Sequence, residues 1–195
     1  MFDISKKMDD KLVLNEKEYQ LFLSFDRILW VLDMWNKEYI PAHMKAQLAL
    51  AKLTDDSSFK DMNPMDALEL YKRVFEEHIK IVKASDEVVR YDIEGNVMPR
   101  RPRENHDGDR EPLYNLKFDG EYVFSSFMQA YGIDLIEEQG KLHWKKFNAL
   151  LAGLPDGTKF VEVLKIRAWK PQKGESAKEK QRMRDLQEEY ALPKN

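Results

Sequence analysis

A chain of 195 residues with 43% hydrophobic and 34% charged residues is long enough for one well-buried core and too apolar to be disordered throughout. The absence of cysteine excludes disulfides, thiolate metal sites and cysteine nucleophiles, and suits a reducing compartment. A formal net charge of −3 argues against an overall basic nucleic-acid binder, although the stretch from Lys165 to Arg184 is strongly basic, with only Glu175 and Glu179 opposing it.

The first residues, MFDISKKMDD, lack the long apolar run of a signal peptide, and no later stretch approaches the roughly 20 apolar residues of a membrane span, so an intracellular protein is expected. Leu12 to Phe25 runs from LVL through Asn15-Glu16-Lys17-Glu18 to YQLFL and reads as a hairpin of two short strands. Asn-Glu is a weaker hairpin signal than Asn-Gly, so the first turns of a longer helix are the alternative. From Ser24 the period becomes helical: Phe25, Ile28, Leu29, Leu32 and Trp35 share a face, Ser24 or Asp26 can cap, and Pro41 ends the helix. Pro41 suits the first position of the next helix, AHMKAQLALAK, with Met44, Leu48 and Ala51 facing one way. Thr54 to Asn63 is polar and reads as a loop. Asn63 then caps a third helix with Pro64 at its first position and Asp66 in its first turn; Leu68, Tyr71, Phe75 (or Val74), Ile79 and Val82 form its apolar side.

Residues 85–112 hold Pro99, Pro102, Pro112, Gly95 and Gly108 with little to bury, and read as a mobile loop joining two helical halves of a single domain spanning 1–195. Arg100, Arg101 and Arg103 suggest a phosphate hook, but Asp107, Asp109 and Glu111 offset them within the Arg100 to Arg110 region and its border, and Tyr91 alone could stack on a base, so a solvated linker is the preferred reading. Beyond it Phe118, Tyr122, Phe127 (with Val123 or Phe124) and Tyr131 line a helix between Asp119 as N-cap and Gly132 as C-cap. Leu142, Trp144, Phe147, Leu150 and Leu151 repeat the pattern up to Gly153 and Pro155. Thr158 can cap the next helix, which carries Phe160, Val163, Leu164 and Arg167 or Ala168 and stops at Pro171. A last charged helix over 175–193 has only the thin seam Met183, Leu186 and Tyr190. The expected fold is mainly α, an irregular helical bundle of about six or seven helices, with a small N-terminal β-hairpin if the first strands pair.

Candidates for chemistry are few. His43, His78, His106 and His143 are scattered, none with a second histidine at zinc-ligand spacing. Glu76, Glu77 and His78, and Asp134, Glu137 and Glu138 with His143, are acidic groupings that folding could gather round a metal; solvated helix-end carboxylates and a packed histidine explain the same letters. Neither a glycine-rich phosphate loop nor a Gly-x-Ser-x-Gly elbow is present, so no catalytic residue, metal or cofactor is expected and the chain reads as a non-enzyme.

One region carries a resemblance. YGIDLIEEQGKLHWKKFNALLAGLPDGTKFVEVLKIRAW, from Tyr131 to Trp169, with Phe118 to Phe127 before it and the terminal Tyr190-Ala191-Leu192-Pro193 after it, resembles the "gene product fifteen" family of tailed bacteriophages and prophages of Gram-positive bacteria. The most specific letters are Ile133-Asp134-Leu135, Leu142-His143-Trp144 with Phe147, and the closing YALP. Lys145 stands where the family often has a second aromatic, and the arginine-rich loop lies outside its pattern. The resemblance implies a small protein encoded among tail genes near the tape-measure gene. It further implies a tail assembly chaperone or scaffold in the host cell cytoplasm that binds the tape-measure protein or other tail proteins; homo-oligomers are also open. A structural tail component of the virion is the alternative, and a nucleic-acid binder a third. No catalytic residue comes with it. The expected partner surface is the last helix, through Lys178, Lys180, Arg182, Met183, Arg184, Leu186 and Tyr190, with Met44, Met62, Met65, Met98 and Met128 as adaptable contacts where exposed.

Overall fold

A computed structural model describes residues 5, 7, 8, 10–81 and 113–193, and the loop expected at 85–112 lies outside the described residues, with Val82 and Met98. The chain gathers into two compact units with interleaved segments: Met1–Arg100 with Glu138–Ala149, and Arg101–Glu137 with Leu150–Asn195. The described residues hold seven α-helices and one two-stranded antiparallel sheet, so the fold is mainly α with the small hairpin.

In the first unit, β1 (Lys11–Leu14) and β2 (Lys17–Gln20) pair with Leu14 opposite Lys17, leaving Asn15-Glu16 as a two-residue turn. Both turn residues are left-handed, φ 49° and 63°, the geometry that matches strand twist in a tight hairpin. Asn tolerates this well; Glu does so rarely, which is why the letters signalled the turn weakly.

Helix α1 (Phe25–Trp35) buries Phe25, Ile28, Val31 and Met34. The expected stripe is therefore rotated: Leu29, Leu32 and Trp35 are only half-buried, and Val31 and Met34 replace them in the core. The helix also stops at Trp35, ahead of Pro41, and Pro41 is the extended residue before α2 (Ala42–Thr54) rather than its first helical one. Helix α2 turns Ala46, Ala49, Leu50, Ala51 and Leu53 inward, so of the expected face Ala51 is buried, Leu48 half-buried and Met44 exposed. Alanines allow close backbone approach, and Lys45 is buried beside them because its ammonium donates to the Trp35 carbonyl at the end of α1, 2.8 Å. The expected loop before Asn63 contains a 3₁₀ turn, Ser57–Asp61, that buries Phe59.

Helix α3 (Pro64–Val74) starts as its letters require: the Asn63 side chain accepts from the Met65 and Asp66 amides, and Pro64 leads. It buries Ala67, Leu70, Tyr71 and Val74, with Leu68 half-buried, and runs into a π-helical turn, Phe75–Ile79, closed by the Lys80 amide on the Phe75 carbonyl. Then the returning segment completes the core. Backbone bonds from Phe25 to Leu142, 2.9 Å, and from Trp144 to Leu23, 2.7 Å, zip it to the start of α1. Helix α4 (Gly120–Tyr131) belongs to the second unit, while the unit boundary falls inside α5 (Trp144–Ala152). Phe147 stacks on Phe25 with centroids 4.9 Å apart, and the Trp144 indole donates to the Ile79 carbonyl at 2.8 Å.

The second unit packs α4 against α6 (Lys159–Ala168), burying Val123 and Phe127 of the first and Phe160 and Val163 of the second. The Ser126 hydroxyl accepts the Phe160 amide at 2.9 Å, so an orphan donor of the first turn of α6 is satisfied from α4. Phe118, expected in the aromatic stripe, precedes the helix and is exposed; Gly132 closes α4 in the left-handed conformation at φ 65°. Helix α7 (Ala177–Glu189) completes the unit.

Candidate functional site

Two surfaces merit description as sites, one in each unit. Helix α7 opens with a capping box: the Ser176 hydroxyl accepts the Glu179 amide, and the Glu179 carboxylate accepts the Ser176 amide at 3.0 Å. Those bonds from Ser176 hold the Glu179 carboxyl below its ordinary value of 4.5. A lowered carboxyl supports the cap above its ordinary pKa and loses it as pH falls through the lowered value. The Ser176 amide resonance should therefore titrate with a midpoint below 4.5; a midpoint at or above it would refute the reading.

No residue of α7 is buried. Met183, Leu186 and Tyr190 are half-buried, and the attachment is largely polar. Gln187 donates to the Ile166 and Trp169 carbonyls, both at 2.9 Å, covering the open end of α6. Tyr190 meets Tyr122 edge-on at 5.9 Å, and its hydroxyl receives the Lys159 ammonium at 2.6 Å, which raises the lysine pKa. Arg167 donates to the Tyr190 carbonyl at 2.6 Å while its fork holds Asp119 at 2.7 and 2.8 Å. Asp119 is thus the residue before α4, as expected, but its side chain makes no cap bond and serves the ion pair instead.

Of the seven residues expected at a partner surface, Tyr190 is engaged with its own unit, and Met183 and Leu186 lie half-buried along the seam. Lys178, Arg182 and Arg184 are exposed and Lys180 is half-buried. The charge order is unusual. Lys178 and Lys180 lie in the first turn of α7 together with Glu179, Arg182 and Arg184 lie in its middle, and Glu188 and Glu189 close it, with no basic residue in the final turn. Cations near an N-terminus and anions near a C-terminus oppose the helix dipole, each by about 0.3–1 kcal/mol at the helix ends. Only Lys178, Lys180, Glu188 and Glu189 are close enough to the ends of α7 to be opposed in this way.

The motif letters are structural. Leu135, Leu142, Trp144 and Phe147 are buried, and Ile133 is half-buried. Asp134 accepts the Ile136 and Glu137 amides in a turn, 2.8 and 3.2 Å. His143 accepts the Lys145 amide at Nδ1, and its Nε2 lies 3.0 Å from the Asp10 carboxylate, in poor alignment for a hydrogen bond. Glu76 pairs with Lys80 at 2.6 Å and His78 lies 3.8 Å from Glu77. Among the described residues no group of three His, Asp or Glu side chains is placed to hold a metal, and no helix is long and apolar enough to cross a membrane.

The second surface was missed in the sequence. A cleft of ≈ 350 Å³ in the first unit is lined by Trp30, Leu48, Ala51, Lys52, Asp55 and Lys60, with Ser57. Trp30 points away from the buried face of α1 and is 44% exposed, with the Lys52 ammonium 5.6 Å from its ring. Arg27 grips Asp55 through both guanidinium nitrogens, lies 5.1 Å from the exposed Phe22 ring, and holds the Asp55 carboxyl below its ordinary value. A tryptophan outside the apolar stripe, one turn from an arginine, is the signal that could have found it.

A protein-family model described as Bacteriophage Gp15 protein matches residues 8–192. No curated protein and no solved structure was found to match.

Proposed function

Because the chain belongs to the Bacteriophage Gp15 protein family, we propose that it acts in tail assembly as a non-enzymatic chaperone or scaffold that holds the tape-measure protein in the host cytoplasm. The observation that carries this reading is α7: a helix without a buried residue, which leaves Lys178, Arg182 and Arg184 exposed beside the half-buried Met183 and Leu186. Long helical assembly proteins expose apolar seams and charged flanks before they polymerise. A soluble partner that presents a half-buried seam beside a basic edge can cover such a segment by helix-to-helix contact.

Co-expression tests it. The wild-type chain should keep the tape-measure protein of the same phage soluble and co-purify with it, and the triple charge reversal Lys178→Glu, Arg182→Glu, Arg184→Glu should abolish both effects. A wild-type melting temperature is the control that the variant still folds, because Arg184→Glu sets a like charge four residues from Glu188. A truncation would be a poorer probe, since it also strips Gln187 and Tyr190 from α6. Failure of the wild-type chain to associate sinks the proposal. Mass spectrometry of purified particles distinguishes the roles: a chaperone is absent from the finished tail, a structural component present.

A further inference from the structure

We infer that the Trp30 cleft of the first unit is a second, separate docking site, one that takes a large apolar side chain of an acidic protein segment. The floor is apolar: the exposed Trp30 ring, with Leu48 and Ala51, offers a face on which a phenylalanine or leucine side chain can be desolvated. The rim is cationic. Lys52 and Lys60 are both exposed, while the one lining carboxylate, Asp55, is neutralised by the two-nitrogen grip of Arg27. What remains uncompensated among the lining side chains is positive, so the complementary occupant carries carboxylates on either side of its apolar anchor. Lys52 reaches over the Trp30 ring, so a carboxylate that draws it outward also uncovers the ring for the anchor. Nucleic acid fits less well, because the floor of Trp30, Leu48 and Ala51 is apolar and the rim offers a phosphate backbone only Lys52 and Lys60.

The site shares no residue with α7, and its test uses the full chain without any tail protein. The probes are a capped synthetic peptide of repeating Glu-Glu-Phe-Leu, its counterpart with Lys for every Glu, and a single-stranded oligothymidine. The acidic peptide should shift the indole N–H resonance of Trp30 and leave those of Trp35, Trp144 and Trp169 in place. Trp30→Ala should remove binding. Lys52→Glu with Lys60→Glu, both on exposed side chains, should weaken the acidic peptide by about tenfold or more and give the lysine peptide the advantage. Equal binding of both peptides to wild type, no shift at Trp30, a Trp30 shift that depends on protein concentration alone, or a stronger response to the oligonucleotide would each overturn the inference.

Discussion

Arg167→Ala is expected to destabilise the second unit by about 3–5 kcal/mol, the cost of leaving a buried ion without its partner. Asp119 is 1% exposed, and its carboxylate receives both ends of the Arg167 fork. Without that fork only the Asn115 amide, 2.9 Å away, remains to satisfy it among the bonds at this carboxylate. The Arg167 side chain is itself 10% exposed, so solvent screens the pair little. The same guanidinium also serves the Leu113 and Tyr190 carbonyls, so its loss frees the chain before α4 and the end of α7 together. Urea denaturation should show the midpoint fall. Arg167→Lys keeps the charge but not the planar fork, and should recover only part of the loss. A change below about 1 kcal/mol for the alanine variant would mean water replaces the arginine, contrary to the burial of the pair.

Trp144→Ala should cost about 3–5 kcal/mol in the first unit, through cavity formation. The ring is 5% exposed, stacks on Phe147 at 5.9 Å, and satisfies the Ile79 carbonyl at the end of the π-helical turn. Trp144→Phe separates the contributions: it keeps an aromatic ring but drops the donor, and should cost about 1–3 kcal/mol for the unsatisfied carbonyl plus the lost volume. Should the two variants prove equally mild, the ring would have to be exposed in solution.

Much of this fold was legible because the signals are local. Asn63-Pro64 and Gly132 mark helix ends through bonds spanning at most a few residues, and each appears where the letters put it. The faces of α1 and α2 were harder to read. A run such as Phe25-Asp26-Arg27-Ile28-Leu29-Trp30-Val31-Leu32 offers several apolar stripes, and which one is buried depends on what packs against it, here including a segment more than a hundred positions later. Asp119 shows the same limit: its position before a helix predicted a cap, whereas its partner is Arg167, remote in the chain. The Trp30 cleft was invisible because its walls come from α1, α2 and the 3₁₀ turn at once. The exposure of the basic residues of α7 was implied by composition, but its anchoring through Gln187 was not, since glutamine carries no pattern that announces a distant carbonyl.

The return of Glu138–Ala149 to the first unit also governs how the chain is made and how it can be cut. On the ribosome, the hairpin and α1 to α3 emerge long before Trp144 and Phe147, so the stacking surface of Phe25 and the Ile79 carbonyl wait unfilled until translation is well into the second unit's sequence. A fragment ending near residue 100 is therefore expected to expose apolar surface and to seek chaperones or aggregate. The unit that begins to fold first therefore closes only after the opening segment of the other has been made.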